Sequence, residues 1–206
     1  MKLFCIGNGV RALLATLACL VAAAAFAQAP TQRIRGDVVS VEGTQLALRT
    51  RSGQQLAITL DDRYVVNVIR PIEASAIAKG RFVGTATLPQ RDGTQRALEV
   101  VVFPESARGS GEGHYPWDLA PGSMMTNATV AEVVGLDQAR RMTLKYPGGE
   151  QVVVVPPNAP IVTFEPGTRE MLRPGAHVFL VATVQPDGSL KTSRVSVGKD
   201  GLVPPM

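Results

Sequence analysis

The sequence predicts an all-β protein built from two similar five-stranded units. Three observations support this prediction. Short stretches alternate apolar and polar residues with a period of two, which is typical of half-buried strands. Turn signals that contain glycine separate these stretches. The same order of strands and turns then occurs a second time, 92 to 95 residues further along the chain.

The first unit predicts five strands and one short helix. Between the third and fourth strands lies the Ala-rich stretch 72–80, and its closing Gly80 is typical of a helix C-terminus. We therefore expect one or two helical turns there. The strands are stretches bounded by turns, at 34–42, 45–51, 55–60, 81–88 and 96–103.

The second unit repeats this order from residue 128 onward. The hairpin at 141–155 corresponds to the hairpin at 45–60, and residues 168–175 take the place of the short helix. A turn at Asp187 corresponds to the turn at Asp92. Agreement across several turns indicates an internal duplication.

Five strands with a short helix between the third and fourth are the element order of an OB-like Greek-key barrel. We therefore predict two tandem OB-like barrels, at residues 32–103 and 126–198, with a connector at 104–125 and a tail at 199–206. A closed barrel also leaves no exposed sheet edge. A pair of SH3-like barrels and one continuous sandwich are the alternatives, because strand count alone does not fix closure.

Residues 1–27 predict a secretory signal peptide. Two basic residues precede the apolar stretch 12–25, and small residues then offer a cleavage site after Ala27. We therefore expect a periplasmic or secreted bacterial protein. A lipoprotein modified at Cys19 and an uncleaved anchor are the alternatives.

The composition of the remaining chain excludes several classes of protein. Both cysteines, Cys5 and Cys19, lie in the leader, so no disulfide or cysteine nucleophile is expected after cleavage. No second apolar run is long enough to span a membrane, which argues against a permease. After the leader, the chain contains 19 basic and 17 acidic residues, and the basic residues form no cluster in the sequence. We therefore expect no nucleic-acid partner.

The pattern of the first unit resembles a known family. The stretch "GDVVSVEG", a hairpin with glycine and the later "KGRFVG" are similar to bacterial exported domains of unknown function with repeated OB-like barrels, the DUF5666-like domains. The resemblance covers residues 33–103 and, more loosely, 126–198. It implies the fold and the compartment, and it brings no activity, cofactor or catalytic residue.

Three residues of the connector are candidate metal ligands. Glu112, His114 and Asp118 lie within seven residues of one another, and imidazole and carboxylate groups bind zinc and similar ions. Pairing of His114 with His177 is a further option. The spacing of these residues on an irregular segment is a weak motif.

The competing interpretation makes the connector an ordered spacer. Four glycines and three prolines in residues 104–125 predict neither helix nor strand. Tyr115 and Trp117 would then be structural anchors that pack against the end of a barrel, since buried aromatic side chains contribute large apolar contact areas. We favour this interpretation over the metal site.

OB-like barrels commonly bind ligands on strands two and three. Aromatic side chains that could stack on a base or a sugar are scarce on these strands, and the exposed charges are more often a solvated face. The residues that alternate on this face are Arg49, Arg51, Gln55 and Thr59 in the first unit, and Lys145, Tyr146 and Gln151 in the second.

The sequence predicts an exported, non-catalytic binding or scaffolding module. No nucleophile elbow, zinc-protease motif or phosphate-binding loop occurs, so neither a catalytic residue nor a cofactor is assigned. The expected partner is a protein or a cell-envelope component, recognised by barrel loops and the groove between the barrels. The alternative is a periplasmic metal or small-ligand binding protein that uses residues 112–118.

Overall fold

The computed structural model describes residues 29–136 and 139–206. The predicted signal peptide, with its lipoprotein and anchor alternatives, lies outside the described residues. Within the described part of the chain, no helix is long and apolar enough to cross a membrane.

The described residues form an all-β structure of thirteen strands. Its helical segments are 3-10 turns of three residues each. The strands are β1 (Thr31–Glu42), β2 (Gln45–Thr50), β3 (Gln55–Pro71), β4 (Phe82–Pro89), β5 (Gln95–Ala97), β6 (Val100–Val102), β7 (Gly113–Pro116), β8 (Met124–Leu136), β9 (Ala139–Tyr146), β10 (Gly149–Val155), β11 (Ile161–Pro166), β12 (His177–Val184) and β13 (Leu190–Gly198).

The repeated turns have the same geometry in both halves of the chain. Asp92 Oδ1 accepts hydrogen bonds from the main-chain N–H of Thr94 at 3.0 Å and from its hydroxyl at 2.7 Å. Asp187 Oδ1 accepts the same two hydrogen bonds from Ser189, at 2.9 and 2.7 Å. Such Asx turns direct the chain back into the next strand. The sequence alignment of the two halves is therefore correct at these turns.

Five strands close into the first ring, which is a five-stranded barrel. Its order is β1, β2, β3, β13 and β12, and β12 pairs with β1 to complete the circle. The pairing of β13 with β3 is parallel, and the other four pairings are antiparallel. Alternate residues of these strands fill one apolar core, which includes Leu46, Leu48, Ile58 and Leu180.

A second ring of pairings links β8, β9, β10, β5 and β4. It repeats the order of the first ring, since β5 pairs with β10 in parallel and β4 pairs with β8 antiparallel. The second ring has its own apolar core, which includes Val83, Met142, Leu144 and Val153.

The tandem arrangement is not confirmed, because each ring takes strands from both halves of the chain. The first ring combines three strands before residue 72 with two strands after residue 176. The second ring combines the last strands of residues 32–103 with the first strands of residues 126–198. The two halves have the same pattern of apolar residues, so that pattern cannot specify which copy of a strand pairs with which partner.

A third apolar cluster joins the two rings. Ile69, Val101 and Val162 come from β3, β6 and β11, and Met206 joins them from the C-terminal segment. Strand β11 pairs with β3 on one side and with β6 on the other, so one continuous sheet connects the rings.

The predicted short helices are not confirmed. Each of the two segments contains a single 3-10 turn, at Ala74–Ala76 and at Arg169–Met171. Three residues are too few for a ladder of α-helical hydrogen bonds, and neighbouring prolines limit any extension. Pro71 precedes the first turn and Pro174 follows the second.

Candidate binding groove

The connector contains a strand that the sequence did not predict. Residues 113–116 form β7, which pairs with β8 so that Tyr115 lies opposite Met125. Residue propensities do not predict this strand, because it contains glycine and proline and both residue types are uncommon in strand interiors. Since β7 pairs with β8 alone, the connector lies along the outer edge of the second ring.

The aromatic residues of the connector lie against β1. The guanidinium carbon of Arg33 is 3.8 Å from the centre of the Trp117 ring, a cation–π contact. The Tyr115 and Trp117 rings meet edge to face at 6.2 Å. The Tyr115 hydroxyl also accepts a hydrogen bond from Asn127 Nδ2 at 3.1 Å. These contacts support an anchoring role for both aromatic residues.

Arg35 joins three separate parts of the chain. Its guanidinium donates to both carboxylate oxygens of Asp118, at 2.8 and 3.2 Å, and its Nε donates to the main-chain oxygen of Met206 at 2.6 Å. Its guanidinium carbon also lies 5.3 Å from the centre of the Phe179 ring. Burial raises the pKa of Asp118, but the hydrogen bonds and charge of Arg35 outweigh burial and leave that pKa below its ordinary value.

The structure does not bring the three predicted metal ligands into one group. Asp118 is held by Arg35, Glu112 is exposed, and His114 Nδ1 is 2.8 Å from the Thr126 hydroxyl. Burial lowers the pKa of His114. Among residues 29–136 and 139–206, no cluster of three or more His, Cys, Asp or Glu side chains could hold a metal ion.

His177 has a partner other than His114. Its Nδ1 lies 2.6 Å from Asp37 Oδ1, across the pairing of β1 with β12. About a third of each of these two side chains is exposed. The pair therefore occupies a partly exposed position on the first ring.

The predicted ligand faces of strands two and three are divided between the two rings. Arg49 is exposed, whereas the Arg51 guanidinium donates to the main-chain oxygen of Pro204 at 2.8 Å. In the second ring, Lys145 lies 3.9 Å from Glu150. These side chains thus do not form one continuous binding face.

An open groove of about 630 Å³ lies between the first ring and the start of the connector. Its apolar wall contains three half-buried rings, Phe103, Phe164 and Phe179. Its polar wall comes from the paired strands β3 and β13, where Asn67 lies opposite Ser196. Pockets of this size with mixed walls are typical of ligand sites.

Aromatic rings form a row beneath the groove. The centres of Phe82 and Phe103 are 5.4 Å apart, and those of Phe103 and Phe164 are 5.9 Å apart. Offset aromatic pairs at these distances stabilise one another. The groove therefore has a wall fixed by packing, with exposed Ser193 and Arg194 at its other side.

A carboxyl group is fully buried near the junction of the rings. Glu99 lies in the irregular step between β5 and β6, where its Oε1 accepts a hydrogen bond from the Ala86 main-chain N–H at 2.8 Å. Its Oε2 has no hydrogen-bond partner among the described residues. Burial raises the pKa of Glu99 to about 8, although the Ala86 hydrogen bond and the charge of Arg35 oppose this rise.

Sequence reasoning expected a groove between the barrels but missed Arg35, Glu99 and the residues that line this groove. The groove combines residues from distant strands, so no local pattern marks it. Glu99 did leave a signal, because it is a single acidic residue in the apolar run 97–103. A charged residue at such a position is either paired or neutral.

No protein-family model, no curated protein and no solved structure matches this chain. The site must therefore be interpreted from its own geometry.

Replacing Trp117 with alanine tests the anchor. We expect the free energy of unfolding to fall by about 1–3 kcal/mol, because the substitution removes the Arg33 and Tyr115 contacts of a half-buried ring. Denaturant titration of the wild type and of Trp117→Ala measures this difference. The variant Val65→Ala, at an exposed position, is the control. Wild-type stability in Trp117→Ala would contradict the anchoring role.

Replacing Glu99 with glutamine tests the buried acid. The folded state binds a proton that the unfolded state releases, so the acid lowers stability by about 1.4 kcal/mol per pH unit between pH 4.5 and 8. The loss is complete above pH 8 and absent below pH 4.5. Glutamine stays neutral and still accepts the Ala86 hydrogen bond. Denaturant titrations at pH 5 and pH 8 should show Glu99→Gln gaining relative stability at the higher pH, whereas an equal difference at both values contradicts this account.

Proposed function

We propose that this chain is an exported, non-catalytic binding module of the bacterial cell envelope that holds a protein or envelope partner in the groove. The observation that carries the proposal is the groove itself, with three aromatic rings on one wall and hydrogen-bonding side chains on the other. Aromatic anchors surrounded by polar groups are typical of recognition surfaces.

Rigid walls support a binding role. Strands β3, β11, β12 and β13 supply most of the lining, and all four are paired on both sides. A site on paired strands loses little conformational entropy when a ligand binds, which favours affinity.

We also propose that both rings are OB-like barrels with exchanged strands. Around each ring, the first three strands are followed by the fifth and then the fourth, with the third and fifth in parallel. This order fits a Greek-key barrel, and a short turn lies between the third and fourth strands of the repeat. The resemblance to exported domains of unknown function supports the same fold.

The proposal that the protein is exported rests on the leader at residues 1–27. Its charged start, apolar centre and small-residue cleavage site favour secretion to the periplasm or beyond. A chain with no cysteine after Ala27 then depends on its packed cores for stability in that compartment.

Blocking the groove tests the proposal. The exposed Ser193 lines the groove, so Ser193→Trp should fill it and reduce capture of the partner at least tenfold. The tagged protein is cross-linked in envelope extract, and captured proteins are quantified by mass spectrometry. The control, Ser52→Trp, places the same ring on an exposed hairpin turn and should capture as the wild type does.

Two results would contradict the proposal. One is equal capture by Ser193→Trp and Ser52→Trp, with both variants folded. The other is a rise in melting temperature on addition of Zn²⁺ that His114→Ala abolishes, because this result would favour a metal site at residues 112–118.

A further inference from the structure

The C-terminal segment, residues 202–206, lies on the protein as an extended peptide. It forms no strand, yet Pro204 and Met206 are buried while Val203 is 50% exposed. Alternation of buried and exposed residues is how an extended peptide uses its side chains on a binding surface.

Two arginines hold this segment by alternate main-chain oxygens. Arg51 donates to Pro204 at 2.8 Å, and Arg35 donates to Met206 at 2.6 Å. Peptide carbonyl oxygens are present in every peptide, so the contact of Arg51 with Pro204 does not depend on the side chains of the segment. Two prolines also favour the extended conformation before the segment docks.

An apolar pocket specifies one side chain of the segment. Met206 is 3% exposed and packs with Ile69, Val101 and Val162, and Leu202 packs at the margin of the same cluster. The site thus combines capture of main-chain oxygens with a pocket for a long apolar side chain. This combination is typical of peptide-binding surfaces.

The segment is attached through a strained turn. Asp200 has φ 50° and ψ 40°, and it is the single non-glycine residue with positive φ among residues 29–136 and 139–206. A side chain at Gly198 would place Cβ 1.6 Å from the main-chain oxygen of Leu202. A non-glycine residue in the left-handed region costs on the order of 1 kcal/mol, although aspartate tolerates this region better than most residues.

We propose that the Arg35–Arg51 surface is a peptide-binding site that residues 202–206 fill, and that a partner protein occupies it with an extended, proline-containing apolar peptide by displacing them. The inference rests on the proposed function in one respect, that the partner is a protein. The chain's own segment shows the chemistry that the site accepts.

The peptide site and the groove share a wall. Phe103, Phe164 and Phe179 pack against the cluster that receives Met206, and the same three residues line the groove. A partner that replaces the segment therefore contacts residues next to the groove, which links the two sites physically.

The test measures binding of a labelled peptide with the sequence of residues 200–206, DGLVPPM. In the wild type, the attached segment competes at an effective concentration of about 1 mM, so binding should be weak. Met206→Asp should release the segment, since a buried carboxylate is costly, and raise the peptide affinity at least tenfold in fluorescence anisotropy. The control Val203→Asp changes an exposed residue of the same segment and should bind as the wild type does.

A second pair of substitutions tests the recognition itself. In the Met206→Asp protein, Arg51→Gln should reduce peptide affinity at least tenfold, because it removes the donor to the proline oxygen. Arg49, on β2, is two residues from Arg51 and has an exposed side chain, so Arg49→Gln should leave the affinity unchanged. In NMR spectra of the wild type, the amide chemical shifts of Val203 and Met206 should also move toward the values of an unfolded chain when millimolar unlabelled peptide is added.

Two results overturn the inference. The first is that folded Met206→Asp binds no peptide and that the wild-type amide signals do not move. The second is a dimer that exchanges this segment between copies, which makes a second copy the occupant. If the peptide fails to bind while Ser193→Trp still blocks capture, the inference fails and the proposed function stands. If the peptide binds while Ser193→Trp captures the partner normally, the inference stands and the proposed function fails.

Discussion

The pairing of β1 with β12, and of β4 with β8, is the constraint on which the structure depends. Because of these pairings, neither half of the chain closes a ring with its own strands. Each core therefore contains residues from both halves of the chain, such as Leu46 and Leu180 in the first core and Val83 and Val153 in the second. Loss of either half would open both rings and expose strand edges.

The same exchange creates the candidate sites. Strand β3 continues out of the first ring and pairs with β11, and this path brings Phe164 and Phe179 to one wall of the groove. Arg35 then connects β1 with Asp118 of the connector and with the C-terminal segment. The Arg35 side chain is 11% exposed, and this one arginine contacts the connector and the C-terminal segment at once.

The sequence predicts local elements well and long-range pairing poorly. The turns at Asp92 and Asp187 are correct, because a short side chain and a glycine determine them locally. Strand β7 was not predicted, because its residues have weak strand propensity and its pairing with β8 stabilises it instead. The exchange of strands cannot be predicted from the sequence for a different reason. The two halves contain equivalent strands, and only their packing in three dimensions distinguishes the pairing partners.

Disulfide trapping tests the exchange most directly, in protein that begins at Gln28 and has no other cysteine. Thr31 lies opposite Thr183 on β12, and opposing residues of antiparallel strands have Cα atoms about 4.5–5.5 Å apart, within disulfide range. At the repeat offset, a tandem barrel would instead place Thr31 opposite Leu88. We predict that Thr31→Cys/Thr183→Cys forms an intramolecular disulfide on mild oxidation and that Thr31→Cys/Leu88→Cys does not. The opposite result would contradict the exchange.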